Sequence, residues 1–293
     1  MASDGVCAVS LDDYTKTFGE ASAPERLLSA SQINMFLTCP RQWYYKYVEH
    51  LPEVESFYQV RGKIVHTVCE RFFDYKPSGG TSLSQLKKDL ANRAQTLFDA
   101  AWKEHRISDM FGDAGYNETF DMIKRFLQLR NWELEAVYSK CKEAQKAWNW
   151  TKPRFRELHI LDEELWVECY IDSVIERDGD VIIVDYKTSN IFKFPLTKEY
   201  ELQLYLYALL YENKTGIMPR YVAVEYLHYG KINTLPVHKI FLEEVQRTVL
   251  EVRGKTESRD IKDYRQYPSG LCKYCSFYEA CMPKIPRSIS SRG

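Results

Sequence analysis

Apolar and polar positions alternate with two different periods along this chain, and the changes of period divide it. From Ser29 the spacing is helical. Ser29 and Gln32 fit a capping box, and Ile33, Phe36 and Leu37 make an apolar face that Cys39-Pro40 interrupts, because a residue before proline is steered away from helical backbone angles. A second short helix is expected over 41–49. A third is expected over 60–75, where Ile64, Val68 and Phe72 recur at i, i+4 and i+8 with Val65 and Phe73 beside them. Lys76-Pro77-Ser78-Gly79-Gly80 closes it. Residues 77–152 then read as an inserted helical lobe with charged faces, anchored by Trp102, Phe126, Leu127 and Trp132 and ended by Lys152-Pro153.

Beyond that junction the period shortens to two. β-like runs cover 155–161, 165–176 and 180–187, the last two joined through Arg177-Asp178-Gly179-Asp180, and Asp-Gly is a strong signal for a two-residue hairpin turn. Helix returns over 197–213, with Thr197 as N-cap, Glu199 in the first turn and Gly216 near the stop. Strands at 221–229 and 234–241, a charged helix over 242–264 and a cysteine-rich tail complete the pattern. The expectation is an α/β fold in one domain over 29–293, its parts being 29–76, 77–152, 153–241 and 242–293. A mixed sheet is flanked by helices, and residues 1–28, which show no period, form a loose arm.

A chain of 293 residues with 45% hydrophobic content can bury one substantial core. A net charge of −1 argues against holding nucleic acid by bulk electrostatics and leaves room for a local basic channel. There is no apolar run of about 18 residues and no basic-then-apolar leader after Met1, so the protein is expected inside the cell and off the membrane. Eight cysteines without a secretion signal then point to thiolate ligands or buried thiols, not to a disulfide framework.

The hairpin carries candidate chemistry. With Asp178 and Gly179 in the turn, the register sets Asp172 opposite Asp185, and opposed residues share a face with Cβ atoms about 4.5–5.5 Å apart. Lys187, two residues past Asp185, emerges on that face. Two opposed carboxylates repel, so a cation or a shared proton must compensate, and Lys187 offsets only one charge. Oxygen ligands of this kind suit Mg²⁺ or Mn²⁺, which can activate a water and stabilise the charge that develops on a phosphodiester. The lysine could orient that water or hold the phosphate. The competing reading is an ion-pair cluster on a solvated face. Against it, Ile171, Ile183 and Val184 and the nearly all-apolar helix that follows imply a sheet covered on both faces.

Gly62 and His66 share one helical face, the glycine leaving room beside an imidazole that could ligate a metal; taken alone, His66 also fits a hydrogen-bonded core histidine. Gln203 and Tyr207 share a face in the same way, and Gln203 alone could satisfy a buried backbone group. In the tail, Cys272-x2-Cys275-x5-Cys281 is followed by Pro283. Three close thiolates need a fourth ligand, for which Cys39 is the candidate. Two Cys-x2-Cys pairs, usual in zinc ribbons, are lacking, which favours a [4Fe–4S] cluster over Zn²⁺; the plain alternative is four thiols packed as small hydrophobes. A cluster there would close a loop on the order of 230 residues and tie the N-terminal helices over the sheet, a structural role. Cys7, Cys69, Cys141 and Cys169 show no ligand spacing.

Asp172 followed by Asp185-Tyr186-Lys187-Thr188 resembles the PD-(D/E)XK nuclease superfamily, in particular its RecB-like branch. Cys169 and Ile171 stand where that superfamily often has glycine and proline. Gly62-x3-His66 resembles the branch's upstream histidine motif and Gln203-x3-Tyr207 its downstream helix motif. Ser31-x7-Cys39-Pro40-Arg41-x2-Tyr44-x2-Tyr47 with the cysteine triad is similar to the iron–sulfur members, among them AddB-type helicase–nucleases and CRISPR-associated RecB-like exonucleases. The resemblance implies a restriction-endonuclease-like core, His66, Asp172 and Asp185 as metal ligands, Lys187 as catalytic, and Gln203 and Tyr207 along the substrate path. It implies DNA as partner, with recombination or CRISPR adaptation proteins as further ones.

Arg41, Lys46, Arg61 and Lys63 are interleaved with Trp43, Tyr44, Tyr45, Tyr47 and Tyr58, a composition in which cations follow phosphates and aromatics stack on unpaired bases. Trp43 and Tyr44 fit the core better. Arg61 and Lys63, beside Gly62, are the favoured phosphate contacts, with Arg41 third. The expected function is a Mg²⁺- or Mn²⁺-dependent exonuclease on single-stranded DNA, acting from a 5′ end. The competing classes are a DNA-binding adaptor whose cluster only shapes a surface, and a zinc-stabilised enzyme of other chemistry. No Gly-x4-Gly-Lys-Ser/Thr loop is present, so unwinding would need a partner helicase.

Overall fold

The computed structural model describes residues 26–53, 55–105 and 108–282. Cys7, Pro283 and most of the arm expected over 1–28 lie outside them. Its last residues do not behave as an arm: Leu28 is buried, its N–H donates to Trp166 O (3.0 Å) and its carbonyl accepts from Glu168 N (2.9 Å). The packed unit therefore begins before Ser29.

Three helices open it: α1 (Ala30–Thr38), α2 (Pro40–Tyr47) and α3 (Phe57–Phe72). Ser29 caps α1 as expected, but Gln32 sends its side-chain N–H to Leu27 O and not back to the cap. The full capping box belongs to α3, where Ser56 and Gln59 satisfy each other's backbone N–H. The helical lobe is α4 (Leu83–Glu104), α5 (Ser108–Cys141) and α6 (Ala144–Thr151). Then come β1 (Phe155–Asp162), β2 (Val167–Arg177), β3 (Asp180–Lys187), α7 (Lys198–Thr215), β4 (Tyr221–Tyr226), β5 (Lys231–Pro236) and α8 (Lys239–Lys255). Short 3₁₀ turns and α9 (Tyr278–Cys281) form the tail.

The five strands make one mixed sheet in chain order, antiparallel except for β3 and β4, which run parallel because α7 crosses between them. Both faces are covered. Val181 and Ile183 on β3 join a core with α1, α2, α7 and α8, whereas Val184 and Tyr186 join a second core with α3 to α6. The lobe is thus no appendage: Phe72, Phe98, Phe126 and Trp148 form the cover of one sheet face. Trp132, expected as an anchor, is 68% exposed. The buried stripe of α5 runs through Ile123, Phe126, Arg130 and Leu134, and Trp132 falls on its far side.

The helix expected over 242–264 is shifted toward the N-terminus. Phe241, read as strand, lies in the first turn of α8, and the helix stops at Lys255. Pro236 lacks an N–H with which to extend the ladder, so β5 ends there. Tyr264 instead leaves the helix and stacks on Trp43, with ring centroids 5.7 Å apart and planes 7° from parallel. Among the described residues no helix is long and apolar enough to cross a membrane.

One buried ion pair fastens the lobe to the sheet. Arg130 on α5 donates to Glu225 on β4 at 2.9 Å, both side chains being almost wholly buried. Glu225 neighbours Tyr186 in the parallel register. Arg130→Met should cost roughly 3–5 kcal/mol in urea unfolding, because Glu225 is left as an uncompensated buried charge. Arg130→Met combined with Glu225→Leu should recover most of it; a pair no more stable than the single variant would contradict this account.

Candidate active site

The hairpin turn forms as its two residues demand: Asp178 (φ 50°) and Gly179 (φ 85°) both take left-handed backbone angles. From there the ladder runs from Arg177↔Asp180 to Ser173↔Val184, the register expected from the turn. It stops one step short of Asp172 and Asp185. There the Asp172 side chain takes over, Oδ2 accepting from Tyr186 N at 2.6 Å. The two carboxylates consequently converge on one cavity of about 450 Å³ without being a paired couple in the sheet.

Helices on either side supply the rest. From α3, His66 Nδ1 pairs with Asp172 Oδ1 (2.9 Å) and Nε2–H donates to Tyr186 O (2.9 Å). That carbonyl fixes which ring nitrogen carries its proton and leaves Nδ1 toward the carboxylates. From α7, the Gln203 amide donates to Asp185 Oδ1 (3.1 Å) and contacts Tyr207 Oη (2.6 Å), while Oε1 accepts from Lys187 Nζ (2.8 Å). Lys187 Nζ also lies 2.8 Å from Asp185 Oδ2 and above the Tyr200 ring. His66, Asp172, Asp185, Lys187, Gln203 and Tyr207 all line this cavity. A Cβ at Gly62 would meet Thr188 Oγ1 at 3.6 Å, an ordinary contact, so that glycine is not needed to make room for the imidazole.

Sequence reading missed Glu157. In β1 it takes φ 45° and drops out of the ladder between Arg156↔Ser173 and Leu158↔Ile171, which brings its carboxylate to Asp172. One ligand atom from each of His66, Glu157 and Asp172 lies within 4.8 Å of the others. The available signal was a lone acid inside the 155–161 run. Using it required the β1–β2 register, and the 162–166 connection holds no recognisable turn to set one.

The electrostatics suit a cation. Burial raises the Glu157 carboxyl, and the neighbouring Asp172 adds to this, to about 7. Burial also raises Asp185, partly offset by Lys187. Burial alone would lower His66, but Asp172 more than reverses it, to about 9. Without a metal the site is therefore held by protons, and a divalent ion must displace them. His66 stays charged in the metal-free fold until about pH 9, against an ordinary value of 6.5, so its stabilising pair with Asp172 is complete below pH 6.5 and lost as pH rises through about 9. Two outcomes are expected. The metal-free melting temperature should fall over that window, and Mn²⁺ affinity by calorimetry should rise across it by up to about tenfold per pH unit, with proton release. Equal affinity at both ends of the window would remove His66 from the ligand set.

The three cations expected on nucleic acid are placed differently from one another. Arg61 is buried, 1% exposed, with its guanidinium between Glu118 Oε1 and Thr188 O (2.7 Å each), so it is a fastening inside the wall and not a surface phosphate contact. Arg41 is half-buried and donates to Tyr264 O (2.7 Å), holding α2 to the tail. Lys63 is exposed and pairs with Glu55. Trp43 and Tyr44 are core, as expected.

Cys39, between α1 and α2, and Cys272, Cys275 and Cys281 line one small cavity of about 90 Å³. Their thiols are free, as are those of Cys69, Cys141 and Cys169. Ser269 N donates to Cys272 Sγ (3.3 Å) and Gln266 Nε2 to Cys281 Sγ (3.2 Å). Burial and then the nearby Cys39 raise the Cys281 thiol, and burial raises Cys275.

A search of curated proteins found no match. Among solved structures, the chain is similar to a candidate exonuclease from Eubacterium rectale, with 14% identity, 92% of each chain covered and a TM-score of 0.51, which supports the fold. A second structure, SSO0001, covers 77% of this chain and 97% of its own at 14% identity, but its TM-score of 0.31 carries no argument. The PD-(D/E)XK nuclease superfamily model matches residues 27–282, a span that includes the Leu28 strand contact and Cys281. With Asp172, Asp185 and Lys187 converging on one cavity beside His66 and Glu157, and with that match spanning most of its length, the chain belongs to the PD-(D/E)XK nuclease superfamily, whose members use divalent metals.

Proposed function

We propose that the protein is a Mg²⁺- or Mn²⁺-dependent exonuclease on single-stranded DNA, working from the 5′ end. The observation that carries this reading is the set of His66, Glu157 and Asp172 ligand atoms gathered where the cavity lined by Asp185 and Lys187 meets the one lined by Glu157. His66, Glu157, Asp172 and Asp185 would hold the ion, which supplies an acidified water and a counter-charge for the phosphodiester. Lys187 has a narrower role than its position suggests. Burial would lower its ammonium, but Asp185 raises it further, so it keeps its proton. It acts as a fixed positive charge on the phosphate or the attacking water, with Gln203 holding its direction, and not as a general base. Tyr207 fixes Gln203 in turn.

Strands labelled at the 5′ or the 3′ end, single or paired, incubated with Mg²⁺ or Mn²⁺ test this reading. Short products should appear at once from the 5′ label on single strands, and chelation should stop them. Equal cleavage by wild type and Asp185→Ala would refute the mechanism; early short products from the 3′ label would reverse the polarity alone.

We further propose that Cys39, Cys272, Cys275 and Cys281 hold a structural [4Fe–4S] cluster, Zn²⁺ being the alternative. Four free thiols around one cavity, two of them receiving N–H donors of the kind that tune cluster sulfurs, support it. Iron and zinc counts with a visible spectrum on anaerobically purified protein distinguish the two.

A further inference from the structure

Tyr58 lies in the first turn of α3, and 58% of it is open to solvent. Few positions are harder to explain by stability. Tyrosine is no better a helix former than the charged residues that would suit such a site, and its ring buries little. Its place is specific nonetheless. Tyr58, Gln59 and His66 line both the catalytic cavity and a second one of about 580 Å³ that adjoins it, bounded by Lys63 and Glu157 among others. The ring thus stands at the junction of the two, about two turns before His66 on the same helix.

The ring is also held. The Arg61 guanidinium lies 4.9 Å from its centroid, and Phe57 packs at 5.7 Å. Arg61 cannot follow solvent, since Glu118 and Thr188 O fix it. A buried, doubly bonded arginine behind a ring that is more than half open to solvent among the described residues makes a rigid aromatic plate. Flat, apolar and sequence-neutral partners for such a plate are nucleobases, and a base can lie on it only if it has left its own stack.

We infer that Tyr58 is the base-stacking residue for the nucleotide beside the scissile phosphate, so that the site selects strands whose end is unpaired. Arg61, buried behind it, is the positioning residue for the ring. This rests on the nuclease reading above and goes beyond it by giving strand selection to one side chain.

The test pairs variants with substrates that lack a single base. Single-turnover cleavage is measured on end-labelled strands carrying an abasic nucleotide at successive positions around the cut. Binding of the same strands is measured by fluorescence anisotropy with Ca²⁺ replacing Mg²⁺. For wild type, one abasic position should weaken binding and slow cleavage on the order of ten- to hundredfold. Tyr58→Ala should lose a similar factor on the intact strand and become indifferent to that abasic position, while Tyr58→Phe, which keeps the ring, should behave as wild type. Tyr58→Ala retaining the wild-type abasic penalty, or binding the intact strand as tightly as wild type, overturns the inference. Wild type that binds with the stacking signature but never cuts with any metal would refute the nuclease reading and leave the stacking site standing.

Discussion

Asp172→Asn should yield a folded protein in which metal-dependent cleavage is reduced on the order of 10³-fold. The side chain stands between three partners. Oδ2 accepts the Tyr186 N–H, Oδ1 meets His66 Nδ1, and Glu157 lies alongside. An amide of the same shape can accept from Tyr186 through its oxygen and donate to an unprotonated Nδ1 through its nitrogen, while His66 Nε2–H still reaches Tyr186 O. Every hydrogen bond survives and only the charge is removed. Two consequences follow besides the lost activity: His66 should titrate closer to its ordinary value, and Glu157 should move down, since Asp172 pushes both up. Histidine chemical shifts against pH read the first. Asp172→Ala is the contrast, for it leaves the Tyr186 N–H buried and unpaired and should cost roughly 1–3 kcal/mol in urea unfolding. If Asp172→Asn cuts within tenfold of wild type, the proposed ligand set is wrong.

The order of elements was legible because the chain's periods are clean. The Asp178-Gly179 turn set the β2–β3 register unaided, since two adjacent left-handed residues admit few hairpins. What periodicity could not convey was where the helices of 83–151 pack. A stripe such as Ile123, Phe126, Arg130 and Leu134 says that a face is buried, not against what, so a layer of the fold reads as an insertion. Trp132 shows the same limit from the other side: size suggested an anchor, and its angle on α5 decided otherwise.

In the site, legibility followed distance along the chain. Asp172, Asp185 and Lys187 share one hairpin, so local geometry could bring them together. His66 and Gln203 arrive on helices from either side, and only their motif spacing marked them. Glu157 had neither aid, because its approach depends on a positive φ inside a strand, an irregularity that no alternation of side chains encodes. Arg61 was misjudged for a related reason. A cation beside a glycine looks available to phosphate, but the partners that bury it, Glu118 and the carbonyl of Thr188, lie 57 and 127 residues away.

The cysteine set carries the second large effect. With the proposed cluster ligated by Cys39, Cys272, Cys275 and Cys281, Cys39→Ser should release its metal, abolish its visible spectrum and destabilise the fold on the order of 5 kcal/mol. The estimate is entropic. A crosslink from Cys39 to Cys272 closes a loop on the order of 230 residues, and opening it restores that freedom to the unfolded chain. Among the described residues the contacts between tail and body include Phe277, the Tyr264–Trp43 stack, Arg41 Nε to Tyr264 O, Arg41 N to Arg265 O and Tyr45 Oη to Ala280 O, which position the tail. Loss of the cluster should therefore free the tail first, seen as rapid amide exchange over 265–282 and early proteolysis there, before the sheet is affected. Because the four thiols line a cavity separate from that of Asp172 and Asp185, freshly prepared Cys39→Ser at low temperature should retain metal-dependent cleavage and lose it on warming. Activity lost at once with the fold intact would assign the cluster a role in the chemistry, and a variant as stable as wild type with unchanged metal content would take Cys39 out of the ligand set.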